Sequence, residues 1–262
     1  MPPIDDVNQA AAQDFIIVTV LNYRYILMGI SCNTLQFKNR DNTKTTMEYT
    51  LENNIATLHF DDGKVNAVGH QFIDDMYEGL DKAQVEAGAV MIAGKEGIFS
   101  AGFDLKELQK GEKELTALVN RGFKLLTRLF SHPQPTIAVC DGHAAGMGAF
   151  LLLAADTRVG STGDYKVNLP ETSIGMQFHE TLTALIHARV DCRYQTMTMV
   201  QSQPLTPEMA VKAGFLDIVV PQEQLLARAT GYAQGLAGLP AEFYKINKLD
   251  LRSGPLSNMV DT

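Results

Sequence analysis

Tryptophan is absent from the 262 residues, cysteine occurs only three times, and no run of Lys or Arg interrupts a net charge of −8. Without a basic stripe, the chain lacks the electrostatic footprint of a nucleic-acid binder. Cys32, Cys140 and Cys192 are widely spaced and form no CxxC pair, and the six His residues are scattered. That excludes a zinc cluster and a disulfide scaffold, and points to reduced thiols in a cytoplasmic protein. Low-complexity tracts, internal repeats and a second domain of independent size are also missing. An apolar share of 45% with 20% charged residues excludes a disordered chain, and the length sits near the limit of one hydrophobic core. The acidic balance does not exclude an anionic ligand, because helix N-termini and a few local cations can bind one.

The apolar run FIIVTVLNYRYILMGI at residues 15–30 is shorter than the roughly 20 residues of a membrane span, and Asn22 and Arg24 interrupt it. The preceding flank carries Asp5, Asp6 and Asp14 and no basic residue, which is wrong for a signal peptide. After the polar stretch FKNRDNTKTT, Met47 opens a domain-like pattern. We therefore expect residues 1–46 to be an extension outside the fold, consistent with translation begun upstream of Met47, and we expect no membrane association.

From Met47 onward, strand and helix signals alternate. Met47–Leu51 and Ile55–Phe60 flank Glu52-Asn53-Asn54 as a strand–turn–strand hairpin. Residues 69–87 and 113–131 carry apolar positions at helical spacing. Ala89–Ala93 and Thr136–Cys140 are continuous apolar runs that suit strands buried on both faces. A small-residue helix is expected over 146–155, a strand over 156–161, a helix over 207–213 capped by Thr206 and stopped by Gly214, and a strand over 215–220. The alternation predicts an α/β fold. A core over residues 47–235 and a helical segment over 236–262 are expected.

Two segments carry glycines at strand-to-helix turns: Gly97-Ile98-Phe99-Ser100-Ala101-Gly102-Phe103-Asp104-Leu105-Lys106, and Asp141-Gly142-His143-Ala144-Ala145-Gly146-Met147-Gly148. Such turns present free N–H groups, and two of them converging make an oxyanion hole from main-chain donors. The plainer alternative is a pair of tight turns that need glycine. Neither segment has phosphate-loop spacing, and Gly146 and Gly148 lack the third glycine of a dinucleotide fingerprint. Ser100 lacks the glycine that would precede it in a nucleophile elbow, so a serine hydrolase reads poorly.

FSAGFDLKEL, DGHAAGMGAFLLLAADTRV, KVNLPETSIGM and LTPEMAVKAGFLDIVVP, in this order, resemble the crotonase (enoyl-CoA hydratase/isomerase) superfamily, with Lys64-Val65-Asn66-Ala67 matching its early turn. The resemblance covers the chain from about Met47 to its C-terminus. It implies stacked ββα turns in a spiral core, a helical C-terminal part that builds a homotrimer or homohexamer, an acyl-CoA thioester as substrate, and no metal or permanently bound cofactor. Coenzyme A would come and go with the substrate.

By position, the resemblance assigns the oxyanion donors to the backbone N–H groups of Phe103 and Met147. Ser100, Ala101, Asp104 and Gly146 lie beside them in the two motifs. With Lys106, these are assigned to binding of the CoA ester; for Lys106, a solvated surface lysine is the alternative. Hydratases of this superfamily use two glutamates. Glu171 stands at one of the two positions and Phe150 at the other. A single glutamate matches the pattern of the Δ3,Δ2-enoyl-CoA isomerases, with Glu171 moving a proton between C2 and C4. Two other outcomes stay open: a hydratase whose second polar group is His179 or Glu180, and an acyl-CoA-binding protein without catalysis. Glu180 also suits the first turn of a surface helix.

Overall fold

The computed structural model describes residues 47–260, so the expectations for residues 1–46, including Cys32 and the apolar run, lie outside the described residues. The chain opens with the hairpin β1 (Met47–Glu52) and β2 (Ile55–Phe60), paired antiparallel. Asn53 and Asn54 both take positive φ at its tip, a conformation to which Asn is better suited than most residues. Helix α1 (His70–Glu86) then leads to β3 (Ala89–Ala93) and β4 (Gly97–Ser100), and the short α2 (Leu105–Leu108) precedes α3 (Glu112–Phe130).

The pattern repeats with β5 (Thr136–Cys140), β6 (Gly142–Ala145) and α4 (Met147–Ala154), followed by β7 (Thr157–Ser161) and β8 (Val167–Asn168). A one-turn 3-10 helix (Thr172–Ile174) and then α5 (Glu180–Arg189), α6 (Cys192–Gln195) and a π-turn (Thr196–Val200) follow. The chain continues through α7 (Pro207–Ala213), β9 (Ile218–Val220), α8 (Gln222–Ala237) and α9 (Ala241–Leu256).

The strands form two sheets. Six run in the order β1-β2-β3-β5-β7-β9, parallel after the first pair, and three run β4-β6-β8, all parallel. From β3 onward each repeat lays one strand in the large sheet and the next in the small one, which is the ββα spiral. Apolar runs such as Ala89–Ala93 are buried throughout, because α1, α3 and α4 cover one face of the large sheet and α8 the other. Leu225, Ala229 and Ala233 of α8 supply that second cover.

The expected strand over 215–220 is shorter, Ile218–Val220. After Gly214 turns the chain in the left-handed region, Phe215 and Leu216 drop into the core instead of pairing. Thr206 caps α7 by accepting from the Met209 N–H, a contact worth about 1 kcal/mol. No helix among the described residues is long and apolar enough to cross a membrane.

Helix α9 is held by a buried charge cluster. Lys248 Nζ lies 2.8 Å from Asp156 Oδ2, Arg252 Nη2 lies 2.6 Å from Oδ1, and the Tyr244 hydroxyl donates to Oδ2 at 2.8 Å. Burial pushes the Asp156 carboxyl up, but Lys248 and Arg252 outweigh it and hold the group below its ordinary pKa. Arg252 also donates to the Phe130 carbonyl at the end of α3, where a cation complements the helix dipole.

Candidate active site

The first glycine turn is built around Asn66. Its side-chain amide donates to the carbonyls of Ile98 and Phe99, each at 3.2 Å, and its own carbonyl accepts from the Ser100 hydroxyl at 2.7 Å. The Gly102 N–H in turn donates to Ser100 Oγ at 3.2 Å. Ser100 therefore spends its hydroxyl inside the turn. The Ala101 N–H donates to the Val65 carbonyl, the Val68 N–H to the Gly102 carbonyl, and the Asp104 N–H to the Val68 carbonyl.

This last pair has a geometric consequence. When Val68 bonds to the residues on either side of Phe103, the N–H and C=O of Phe103 must point to the opposite side of that parallel bridge. The Phe103 N–H has no partner among the described residues. Asp104 caps α2 by accepting from the Lys106 N–H at 2.8 Å, and Lys106 is exposed.

The second turn ends β6 and starts α4. The Gly146 N–H is taken by the Asn168 carbonyl at 3.0 Å, and the Gly146 carbonyl accepts the first intrahelical bond, from Phe150. Met147 therefore holds the first helical position, where an N–H has no intrahelical acceptor. The two turns are in contact through Gly148: a methyl group there would sit 2.3 Å from the Ser100 carbonyl oxygen and 2.8 Å from Ser100 Cβ. Only the missing side chain lets the start of α4 approach the first turn this closely.

Glu171 follows β8, the strand that pairs with β6. Its carboxyl is buried, and Oε2 has no hydrogen-bond partner among the described residues. Burial raises its pKa to about 7; its own backbone N–H alone opposes the rise, and no charged group contributes. Phe150, one turn into α4, is fully buried, with the Phe178 ring edge-on at 6.3 Å.

His179 and Glu180 occupy the start of α5. The His179 Nδ1 accepts from the Thr181 N–H, so His179 is the N-cap, and its ring stacks on Phe123 at 4.6 Å. Glu180 is exposed in the first turn. Neither is a hydrogen-bond partner of Glu171 Oε2 or contributes to the shift of its carboxyl. The described residues also contain no group of three or more His, Cys, Asp or Glu placed to hold a metal.

Two glycines central to this arrangement were not singled out by the sequence as packing positions: Gly148, and Gly122 on the buried stripe of α3. The available signal was the propensity cost of about 1 kcal/mol that a glycine inside a helix carries, which asks for a reason.

Residues 50–253 match the family model described as enoyl-CoA hydratase/isomerase. A solved enoyl-CoA hydratase/isomerase family protein of Pseudomonas syringae is 36% identical with a TM-score of 0.79, over 81% of this chain and 93% of that one. A Mycobacterium tuberculosis protein, described as an enoyl-CoA isomerase in one solved structure and as a probable enoyl-CoA hydratase in another, is 34% identical in the first with a TM-score of 0.77, over 82% of this chain and 94% of that one. A probable enoyl-CoA hydratase of Bacillus subtilis is 33% identical over 126 residues, 47% of this chain. That match spans 48% of the relative, so about half of its length has no counterpart in the alignment.

Proposed function

The chain belongs to the enoyl-CoA hydratase/isomerase family, and on that premise we propose that it shifts the double bond of a 3-enoyl-CoA to the 2-position with Glu171 as the single acid/base. The thioester oxygen accepts from the N–H groups of Phe103 and Met147. Glu171 removes a proton from C2, and the electron pair moves into an enolate whose oxygen the two donors hold. The double bond migrates as the same carboxyl returns the proton to C4, so no water enters the product.

The observation that carries this reading is the state of Glu171. A carboxyl raised to about 7 by burial alone is matched to proton transfer near neutral pH. A second carboxylate sharing the site would add like-charge repulsion to that rise, and none contributes. At the position where the hydratases of the family carry their second glutamate, this chain has Phe150, buried with the Phe178 ring edge-on to it. The oxyanion donors are expected to carry much of the rate, since losing one such donor costs roughly 10²–10³-fold.

Ser100, Ala101, Asp104 and Gly146 shape the two turns, and Lys106 is assigned to the CoA phosphates. Residues 47–235 are read as the core that carries the site and 236–262 as the helical segment of a cytoplasmic homotrimer or homohexamer. The test is conversion of a 3-enoyl-CoA to its 2-enoyl isomer by the full chain, with kcat falling about 10²- to 10⁴-fold in Glu171→Gln. Unchanged turnover in that variant would remove Glu171 from the chemistry.

A further inference from the structure

Gly122 lies in the middle of α3, buried between Phe123 and Arg121 on the stripe that faces the core. A methyl group at this position would lie 2.5 Å from both Cε1 and Cζ of Phe103 and 3.4 Å from Cε of Met147. The side chains of the two residues assigned as oxyanion donors therefore meet at one glycine of a helix that belongs to neither turn. The Phe103 ring is seated in the notch that Gly122 leaves. Met147 has a flexible thioether end and can yield a few tenths of an ångström, whereas the aromatic ring is rigid and must rotate as a unit.

We infer that Gly122 is a positioning residue: its missing side chain seats the Phe103 ring, and the seated ring fixes the Phe103 backbone so that its N–H faces the thioester oxygen. The inference rests on the enolate reading above. It follows from the short lever involved. The ring and the donor N–H belong to one residue, next to Gly102 at φ +92°, so expelling the ring turns the same peptide that carries the donor. A displacement on the order of 1 Å at such a donor costs about 10²-fold in rate.

The test is a double-mutant cycle in the full chain with a straight-chain 3-enoyl-CoA, each variant being checked first for a cooperative thermal transition. Gly122→Ala is expected to lower kcat about 10²-fold with a smaller change in KM. Phe103→Ala keeps a backbone N–H and removes the ring. The Gly122→Ala/Phe103→Ala double variant is therefore expected to recover to within about tenfold of Phe103→Ala alone, since the new methyl fills the space the ring left. Wild-type kcat in Gly122→Ala would overturn the inference, as would a folded double variant in which the full Gly122→Ala loss adds to that of Phe103→Ala. If the unsubstituted chain converts no 3-enoyl-CoA, the enolate reading fails instead. The cycle is then read by calorimetric affinity for a saturated acyl-CoA, with weakening in the single Gly122→Ala variant and recovery in the double expected if the seat is real.

Discussion

The Gly146 N–H donates to the Asn168 carbonyl at 3.0 Å. This bond ties the turn that opens α4 to the end of β8, three residues before Glu171. The second glycine turn and the loop that carries Glu171, the residue proposed as the base, thus leave adjacent strands of the small sheet.

On the single-base proposal, the pH dependence of catalysis follows from the Glu171 carboxyl. Only the carboxylate can take a proton from C2, and burial raises its pKa to about 7. We expect kcat/KM to rise with unit slope through the acid limb and level off above about pH 7. A limb centred near the ordinary value of 4.5 would show that Glu171 is solvated in the free enzyme.

The same shift makes a stability prediction with a definite sign. Below pH 4.5, Glu171 is protonated in both folded and unfolded chains and contributes no difference. Between 4.5 and about 7 the unfolded chain ionises first, so the fold loses stability as pH rises, by on the order of 3 kcal/mol once both forms are charged. Glu171→Gln should therefore be more stable than the parent at pH 8 and close to it at pH 4. Denaturant melts at the two values check this, and equal differences at both would contradict it.

Gly148→Ala places a methyl group 2.3 Å from the Ser100 carbonyl oxygen, a backbone atom that cannot swing aside. We expect a loss of about 1–3 kcal/mol in stability and at least a tenfold fall in kcat, because the start of α4 must back away from the first turn. Parent-like kcat in this variant would mean that the contact between the turns does not set the donor geometry.

Asp156→Ala leaves Lys248 and Arg252 buried without their carboxylate. Breaking one side of such a cluster costs about 3–5 kcal/mol. Limited proteolysis should then cut within Ala241–Leu256 while the core stays intact. Uniform cleavage of the whole chain would show that α9 is not a separable cover.

The large sheet was legible in the sequence where its strands are continuous apolar runs: Ala89–Ala93 and Thr136–Cys140 fall where the pattern placed them. Strands β4, β6 and β8 were not read as strands. They are only two to four residues long, and β4 and β6 open on Gly97 and Gly142, which stack closely and leave too little side-chain pattern to read. Glu171 was singled out by resemblance, but the burial that raises its pKa is a property of the folded chain that no local spacing encodes. Phe178 and His179 show the same limit: one packs on Phe150 and the other stacks on Phe123, pairings that no local spacing encodes.

The most direct test of the single-base account offers the full chain a 3-enoyl-CoA and a 2-enoyl-CoA separately in water enriched in heavy oxygen, with products read by mass spectrometry. The account predicts conversion of the 3-enoyl ester to the 2-enoyl ester, with no label in either reaction. A labelled 3-hydroxyacyl-CoA would contradict it, because water would then have reached a site that Phe150 and Phe178 are held to keep dry.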